Sequence, residues 1–143
     1  MILVTGAAGF IGSSLVKHLN GKGRDDIVIC DRIRDNRWQN IADLNFYEYI
    51  DADYLFTAIK NRTFETIVHL GADSNSTTQD FHWCYRYNTC FTGELWHHAY
   101  RKGSDFIYAS SASTYGLGEN GFSDDHDLIH TLRPKSEIGR AHV

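Results

Sequence analysis

Apolar positions along the chain fall into two alternating patterns. Five short runs are rich in β-branched and aromatic residues: Ile2-Leu3-Val4, Ile27-Val28-Ile29-Cys30, Phe46-Tyr47-Glu48-Tyr49-Ile50, Thr66-Ile67-Val68-His69-Leu70 and Phe106-Ile107-Tyr108-Ala109. Such runs suit strands. Between them apolar residues recur at helical spacing, first Phe10, Ile11, Leu15 and Leu19, then Leu55, Ala58 and Ile59. The pattern predicts a helix over 10–20 stopped by Gly21-Lys22-Gly23, a strand over 26–31, a polar basic loop over 32–38 and a helical turn over 40–44. It continues with a strand over 46–50, a helix over 53–61, a strand over 66–70 and a long helix over 78–102 ended by Gly103. A fifth strand over 106–109 leads into a loop-like region over 112–133. Strands alternating with helices imply an α/β fold, a doubly wound parallel sheet in strand order 3-2-1-4-5.

At 143 residues the chain makes one domain at most, with room for a real core. A formal net charge of −4, a pI near 6.0 and the lack of any Lys/Arg block argue against nucleic-acid binding. The three cysteines, Cys30, Cys84 and Cys90, are odd in number and lack C-x-x-C spacing, so reduced thiols in a cytoplasmic protein are expected. The histidines are scattered, and adjacent His97-His98 point about 100° apart on a helix, so no metal site is expected. No basic segment precedes the first strand, and no apolar run approaches the roughly 20 residues of a membrane span.

The first turn changes the picture. Thr5-Gly6-Ala7-Ala8-Gly9-Phe10-Ile11-Gly12 places glycines at G-x-x-G-x-x-G spacing between a strand and a helix. Gly6 permits a sharp turn out of the strand, Gly9 lets a pyrophosphate approach the backbone, and Gly12 lets the helix pack close to the strand. The free N–H groups and positive end of the helix then face the phosphates. Asp31 closes the second strand about 20 residues on, which distinguishes a Rossmann-type dinucleotide site from a merely structural βα turn. A carboxylate there accepts from the ribose hydroxyls, favouring NAD. Arg32, Arg34 and Arg37 follow, and a guanidinium there binds a 2′-phosphate, favouring NADP. The reading leans to NADP held by Arg32 and Arg37, with NAD left open and a solvated basic loop as the plainer alternative.

Ligands of such sheets bind at the carboxyl ends of strands, where strand order reverses. Gly71-Ala72, after the fourth strand, offers a backbone against which the nicotinamide half can pass. Asn88 inside the long helix either bonds backbone groups of the strand-four loop or lies at the surface. Ser111, just past the fifth strand, is the best catalytic candidate, placed to hydrogen-bond a hydroxyl being oxidised. It lacks the G-x-S-x-G elbow of a hydrolase nucleophile. Tyr115 has Glu119, not Lys, four residues on, so packing is the better reading for it.

These residues resemble the extended short-chain dehydrogenase/reductases that modify nucleotide sugars, on Thr5 through Gly12, Asp31, Gly71-Ala72 and Ser110-Ser111-Ala112-Ser113-Thr114-Tyr115-Gly116. Within that family the chain is most similar to the ADP-L-glycero-D-manno-heptose 6-epimerases, on four stretches: residues 69–78, residues 107–116, Gly121-Phe122-Ser123-Asp124-Asp125 with Leu132-Arg133-Pro134, and Arg37-Trp38-Gln39-Asn40-Ile41. The resemblance implies that bound NADP takes a hydride from C6 of a heptose and returns it to the other face. It implies cofactor contacts at Phe10, Ile11, Asp31, Arg32, Arg37, Leu70, Gly71, Ala72, Asp73, Ser74 and Asn88, and a catalytic serine at Ser111. It further implies a nucleotide-sugar substrate and a homo-oligomer that uses the long helix through a face including Phe91, Leu95 and Trp96. Other nucleotide-sugar epimerases or 4,6-dehydratases, and a non-catalytic dinucleotide-binding regulator, are the competing readings.

Three departures stand out. Ala52 lies where the family often has a cofactor-contacting lysine, and Asn75 is an extra residue in the strand-four loop. After Pro134 the family continues with a segment like L-N-x-Y-G-x-S-K that carries its catalytic Tyr and Lys. Here Lys135-Ser136 is followed by Glu137-Ile138-Gly139-Arg140-Ala141-His142-Val143, which resembles the translation of a sequencing adapter, GAG ATC GGA AGA GCA CAC GTC. The expectation is therefore a partial NAD(P)-binding domain over 1–134, a non-native tail over 135–143, and no turnover by the fragment.

Overall fold

A strand at the centre of a parallel sheet is covered on both faces and needs an unbroken apolar run. β1 (Ile2–Thr5) and β2 (Ile27–Asp31) supply one, with every residue buried. The computed structural model describes residues 1–73 and 80–136. β3 (Glu48–Asp51), β4 (Thr66–His69) and β5 (Asp105–Tyr108) complete a five-stranded, all-parallel sheet in the order β3-β2-β1-β4-β5, as the sequence predicts. Val4 pairs with Ile29 on one side and Val68 on the other, Cys30 with Ile50, and Val68 with Ile107.

The chain divides into two compact units. The first, Met1–Gly71 with Leu95–Ala109, holds the whole sheet together with α1 (Phe10–Gly21) and α2 (Leu55–Ile59). Val4, Ala7, Val16 and Ile29 form the buried centre of one cluster, with Leu15, Leu19 and Phe46 packed against it. The third strand starts at Glu48, later than the 46–50 run suggests, and Phe46 before it packs against this cluster. The turn expected over 40–44 is present, closed by the Leu44 N–H on the Ile41 carbonyl at 3.2 Å, and a 3-10 turn at Asn36–Asn40 precedes it, where the Asp35 carboxylate accepts from the Arg37 N–H at 2.9 Å. The helix expected over 53–61 is shortened to α2 by a preceding 3-10 turn, Ala52–Tyr54, capped by Asp51 accepting from the Asp53 N–H at 3.0 Å.

The second unit comprises Ala72–Glu94 and Ser110–Val143. In it α3 (Phe81–Cys84) starts where the Asp80 carboxylate accepts from the Trp83 N–H at 3.0 Å. A π-helical turn, Tyr85–Cys90, follows and leads into α4 (Phe91–Lys102), whose residues from Leu95 onward count in the first unit. The start expected near residue 78 lies outside the described residues. The region expected to be loop over 112–133 carries 3-10 turns at Ala112–Tyr115 and His126–Thr131. Of the exposed apolar face expected to include Phe91, Leu95 and Trp96, Leu95 is not exposed. Leu95 is fully buried with His98 and Ala99, whereas Trp96, one residue and about 100° further on, is half exposed. Among the described residues no helix is long and apolar enough to cross a membrane.

Candidate functional site

The turn between β1 and α1 is built from missing side chains. Gly6 has φ +68°, and a Cβ there would stand 2.6 Å from the Leu70 carbonyl carbon. A Cβ on Gly12 would stand 2.2 Å from the Gly6 carbonyl oxygen and 2.8 Å from the Ala7 Cα. The first glycine therefore lets the chain turn against β4, and the third lets α1 close on the turn, as the spacing predicts. Gly9 takes the N-cap position and offers no side chain to the first-turn N–H groups, and no acidic residue stands in that turn. Phe10 and Ile11 open α1 with exposures of 86% and 64%. The result is an uncapped, positively polarised helix end beside bare backbone, which suits an anion.

Asp31 locks this turn to the end of β2. Its carboxylate, 9% exposed, accepts from the Ala8 N–H at 2.8 Å and the Arg32 N–H at 2.7 Å. Asn40 donates to the Ala8 carbonyl at 2.8 Å, and the Tyr49 hydroxyl donates to the Asp31 carbonyl at 2.9 Å. On the far side of β1, the Thr5 hydroxyl lies 2.6 Å from His69 Nδ1 and accepts from the Gly71 N–H at 3.2 Å. The Leu70 N–H donates to the Thr5 carbonyl at 3.2 Å. A Cβ on Gly71 would stand 3.1 Å from the Gly6 nitrogen, so its bare backbone serves the approach of β4 to β1. Gly6, Gly12, Asp31, Leu70 and Gly71 are thus brought together within the first unit.

The basic loop is fully engaged with carboxylates. Arg32 pairs with Asp53, its Nε donating at 3.1 Å. Arg34 donates to Asp51 at 2.9 Å and to Asp53 at 3.1 Å. Arg37 donates to both oxygens of Asp35 at 3.0 Å, and its Nη1 stands 3.7 Å from Asp31 Oδ1. The Arg34 guanidinium holds the Asp51 carboxyl below the usual carboxylate range, and the Arg37 backbone N–H does the same for Asp35. Burial pushes the Cys30 thiol well above its ordinary value, so it is inert packing.

The second unit carries the other candidates. Asn88 sits in the π-helical turn, 1% exposed, and clasps the backbone of Asp73: its Oδ1 accepts from the Asp73 N–H at 2.8 Å and its Nδ2 donates to the Asp73 carbonyl at 3.1 Å. Of the two sequence readings, backbone clasp and surface residue, the structure has the clasp. Ser111 is half buried and caps the Ala112–Tyr115 turn, its Oγ accepting from the Ser113 N–H at 3.2 Å and leaving its proton to donate. Tyr115 packs against Phe122 at 5.7 Å between ring centroids. Ala72 is exposed, and Ser74 lies outside the described residues. Sequence reasoning missed the roles of Asn40, Tyr49, Asp51 and Asp53. Asn40 stood in the matched stretch over 37–41, which was the available signal. The rest depend on which residues the register of β3 sets beside β2.

A model of the NAD dependent epimerase/dehydratase family matches residues 2–142. ADP-L-glycero-D-manno-heptose-6-epimerase of Fusobacterium nucleatum is 41% identical over 97% of this chain and 44% of that protein. The protein of that name from Brachyspira hyodysenteriae is 41% identical over 92% of this chain and 43% of that protein. The chain thus spans less than half the length of these curated relatives. Among solved structures, Helicobacter pylori ADP-L-glycero-D-manno-heptose-6-epimerase superposes with a TM-score of 0.85 at 25% identity, over 99% of this chain and 47% of that one. Bordetella bronchiseptica WbmG in complex with NAD and UDP, at 21% identity and a TM-score of 0.79 over 99% of this chain and 46% of that one, shares the fold.

Proposed function

This chain belongs to the NAD-dependent epimerase/dehydratase family, and from that premise we propose that residues 1–134 are the cofactor-holding part of an ADP-L-glycero-D-manno-heptose 6-epimerase that uses NADP. The observation that carries the cofactor reading is the cradle at α1: an uncapped helix end behind three glycines, tied directly to Asp31. The heptose reading rests on the 41% identity to proteins of that activity.

On this reading the N–H groups at Phe10, Ile11 and Gly12 hold the pyrophosphate, with Gly9 leaving the approach clear. Asp31 accepts from the adenosine ribose, while Arg37 and Arg32 take the 2′-phosphate. Leu70, Gly71, Ala72, Asp73 and Ser74 are assigned to the nicotinamide half, and Asn88 fixes Asp73. Ser111 hydrogen-bonds the sugar oxygen at the reacting centre without giving up its proton. The bound cofactor supplies oxidation at C6 followed by re-reduction from the other face. The substrate is a nucleotide sugar, and the complete protein works as a homo-oligomer in the cytoplasm. No tyrosine in the 143 residues has a lysine four positions later, so the acid–base pair that moves the sugar proton is expected in a following segment.

The test is long-read resequencing of the source DNA past the Pro134 codon, then assay of the whole frame on an ADP-heptose by proton NMR. The frame is expected to continue with a Tyr-Gly-x-Ser-Lys-like segment in place of residues 135–143, and its product to invert C6. A genome that stops after Val143 would favour a cofactor-binding regulator. The purified 143-residue chain is expected to show no turnover, and measurable inversion by it would refute that assignment. Arg37→Ala is expected to weaken NADP relative to NAD by roughly tenfold, the scale of one charge-assisted phosphate contact. Fluorescence titration of the reduced cofactors reads this ratio, and an unchanged value removes Arg37 from the 2′-phosphate.

A further inference from the structure

We propose that Asp53, assisted by Asp51, limits how strongly this site can prefer a 2′-phosphorylated dinucleotide, by holding the Arg32 and Arg34 guanidiniums at the end of β3. The inference rests on the dinucleotide reading of the β1–α1 turn and concerns what sets its cofactor choice.

Arg32 adjoins Asp31 in the chain, and its own N–H binds the Asp31 carboxylate at 2.7 Å. Its side chain, however, is committed to Asp53, with Nε at 3.1 Å and Nη2 on the same oxygen. The other Asp53 oxygen accepts from Arg34 Nη2 at 3.1 Å, while Arg34 Nη1 reaches Asp51 at 2.9 Å. Asp51 also accepts from the Asp53 N–H at 3.0 Å, which fixes the Asp53 backbone where its two oxygens face two arginines. β2–β3 register produces the arrangement, since Asp31 pairs with Asp51 across the sheet. Two guanidinium forks that could grip a phosphate are therefore already turned to carboxylates.

Charge points the same way. Arg32, Arg34 and Arg37 give three positive charges, and Asp31, Asp35, Asp51 and Asp53 give four negative ones, a local balance of −1. A 2′-phosphate brings further negative charge to that balance, whereas a ribose hydroxyl brings none. The Arg37 guanidinium stands 3.7 Å from the Asp31 carboxylate. The Arg32–Asp53 pair is partly exposed, with side-chain exposures of 25% and 44%. Such a pair is weak enough for a phosphate to compete once the carboxylate charge is removed.

The experiment is calorimetric titration of the 143-residue chain with ADP-ribose and with 2′-phospho-ADP-ribose, for the parent, Asp53→Asn, and Asp53→Asn combined with Arg32→Gln. Asp53→Asn is expected to tighten 2′-phospho-ADP-ribose by roughly three- to tenfold, while ADP-ribose stays within about twofold. Adding Arg32→Gln is expected to cancel the gain, which shows that it passes through Arg32. An unchanged ratio of the two affinities in Asp53→Asn overturns the inference and leaves the dinucleotide reading standing. Loss of ADP-ribose binding in Asp53→Asn overturns it as well, since Asp53 would then be maintaining the site and not selecting. A parent chain that binds neither probe overturns the dinucleotide reading together with the inference.

Discussion

Gly12→Ala is expected to abolish ADP-ribose binding and to cost on the order of 3 kcal/mol or more of folding stability. The added methyl would stand 2.2 Å from the Gly6 carbonyl oxygen and 2.8 Å from both the Gly6 carbonyl carbon and the Ala7 Cα. All three are backbone atoms, so no rotamer change relieves the clash. α1 must swing away from β1 or the turn must open. Either movement breaks a set of coupled bonds, because Gly6 also accepts from the Gly9 N–H at 3.0 Å and Ala8 donates to Asp31 at 2.8 Å. Opening the turn thus displaces the helix end and the Asp31 carboxylate together. Gly93→Ala is the control: nothing lies within 4 Å of its added Cβ, and the residue is inside α4, so a gain of about 0.5–1 kcal/mol is expected there. Urea unfolding and ADP-ribose titration read both variants. If Gly12→Ala loses less than about 1 kcal/mol, the close approach of α1 to the turn is not what fixes this site.

The contrast between those two glycines marks what the sequence could and could not disclose. The spacing of Gly6, Gly9 and Gly12 after an apolar strand has one economical explanation, so turn, helix start and Asp31 were legible together. The central strands were legible because burial on both faces demands continuous apolar runs, as in Ile27–Asp31. The edge was harder. The run from Phe46 has strand composition throughout, but propensity does not say which residues pair, and Phe46 packs against the core ahead of the strand. That register then decides the charge site, since Arg32 and Asp53 are 21 positions apart and meet through Asp31 lying opposite Asp51. The missing side chain of Gly71, which the sequence assigns to clearance for a ligand, also serves the approach of Gly6 and Thr5. The π-helical turn around Asn88 carries no glycine or proline to announce it.

That turn bears the second large effect. Asn88→Leu is expected to cost about 2–4 kcal/mol, because it leaves the N–H and the carbonyl of Asp73 without the amide that satisfies both, at 2.8 Å and 3.1 Å. Hydrogen exchange at the Asp73 amide should accelerate in step. Asn88→Asp separates packing from bonding. It keeps an acceptor for the Asp73 N–H, but when ionised it sets a second oxygen against the Asp73 carbonyl in a nearly solvent-free position. Burial raises the folded-state pKa of such a carboxyl above its unfolded value of about 3.9. Ionisation therefore favours the unfolded chain, and the deficit grows as pH rises from the unfolded to the folded pKa. At lower pH the protonated acid donates to the Asp73 carbonyl as the amide does, so the variant should approach the parent there, while Asn88→Leu should keep its deficit at every pH. Because Asn88 acts on Asp73, assigned to the nicotinamide half, both variants should weaken whole dinucleotides while ADP-ribose, assigned to the β1–α1 turn and Asp31, keeps its affinity. Equal loss for ADP-ribose and for the dinucleotides would mean that Asn88 supports the fold at large and not the nicotinamide side of the site.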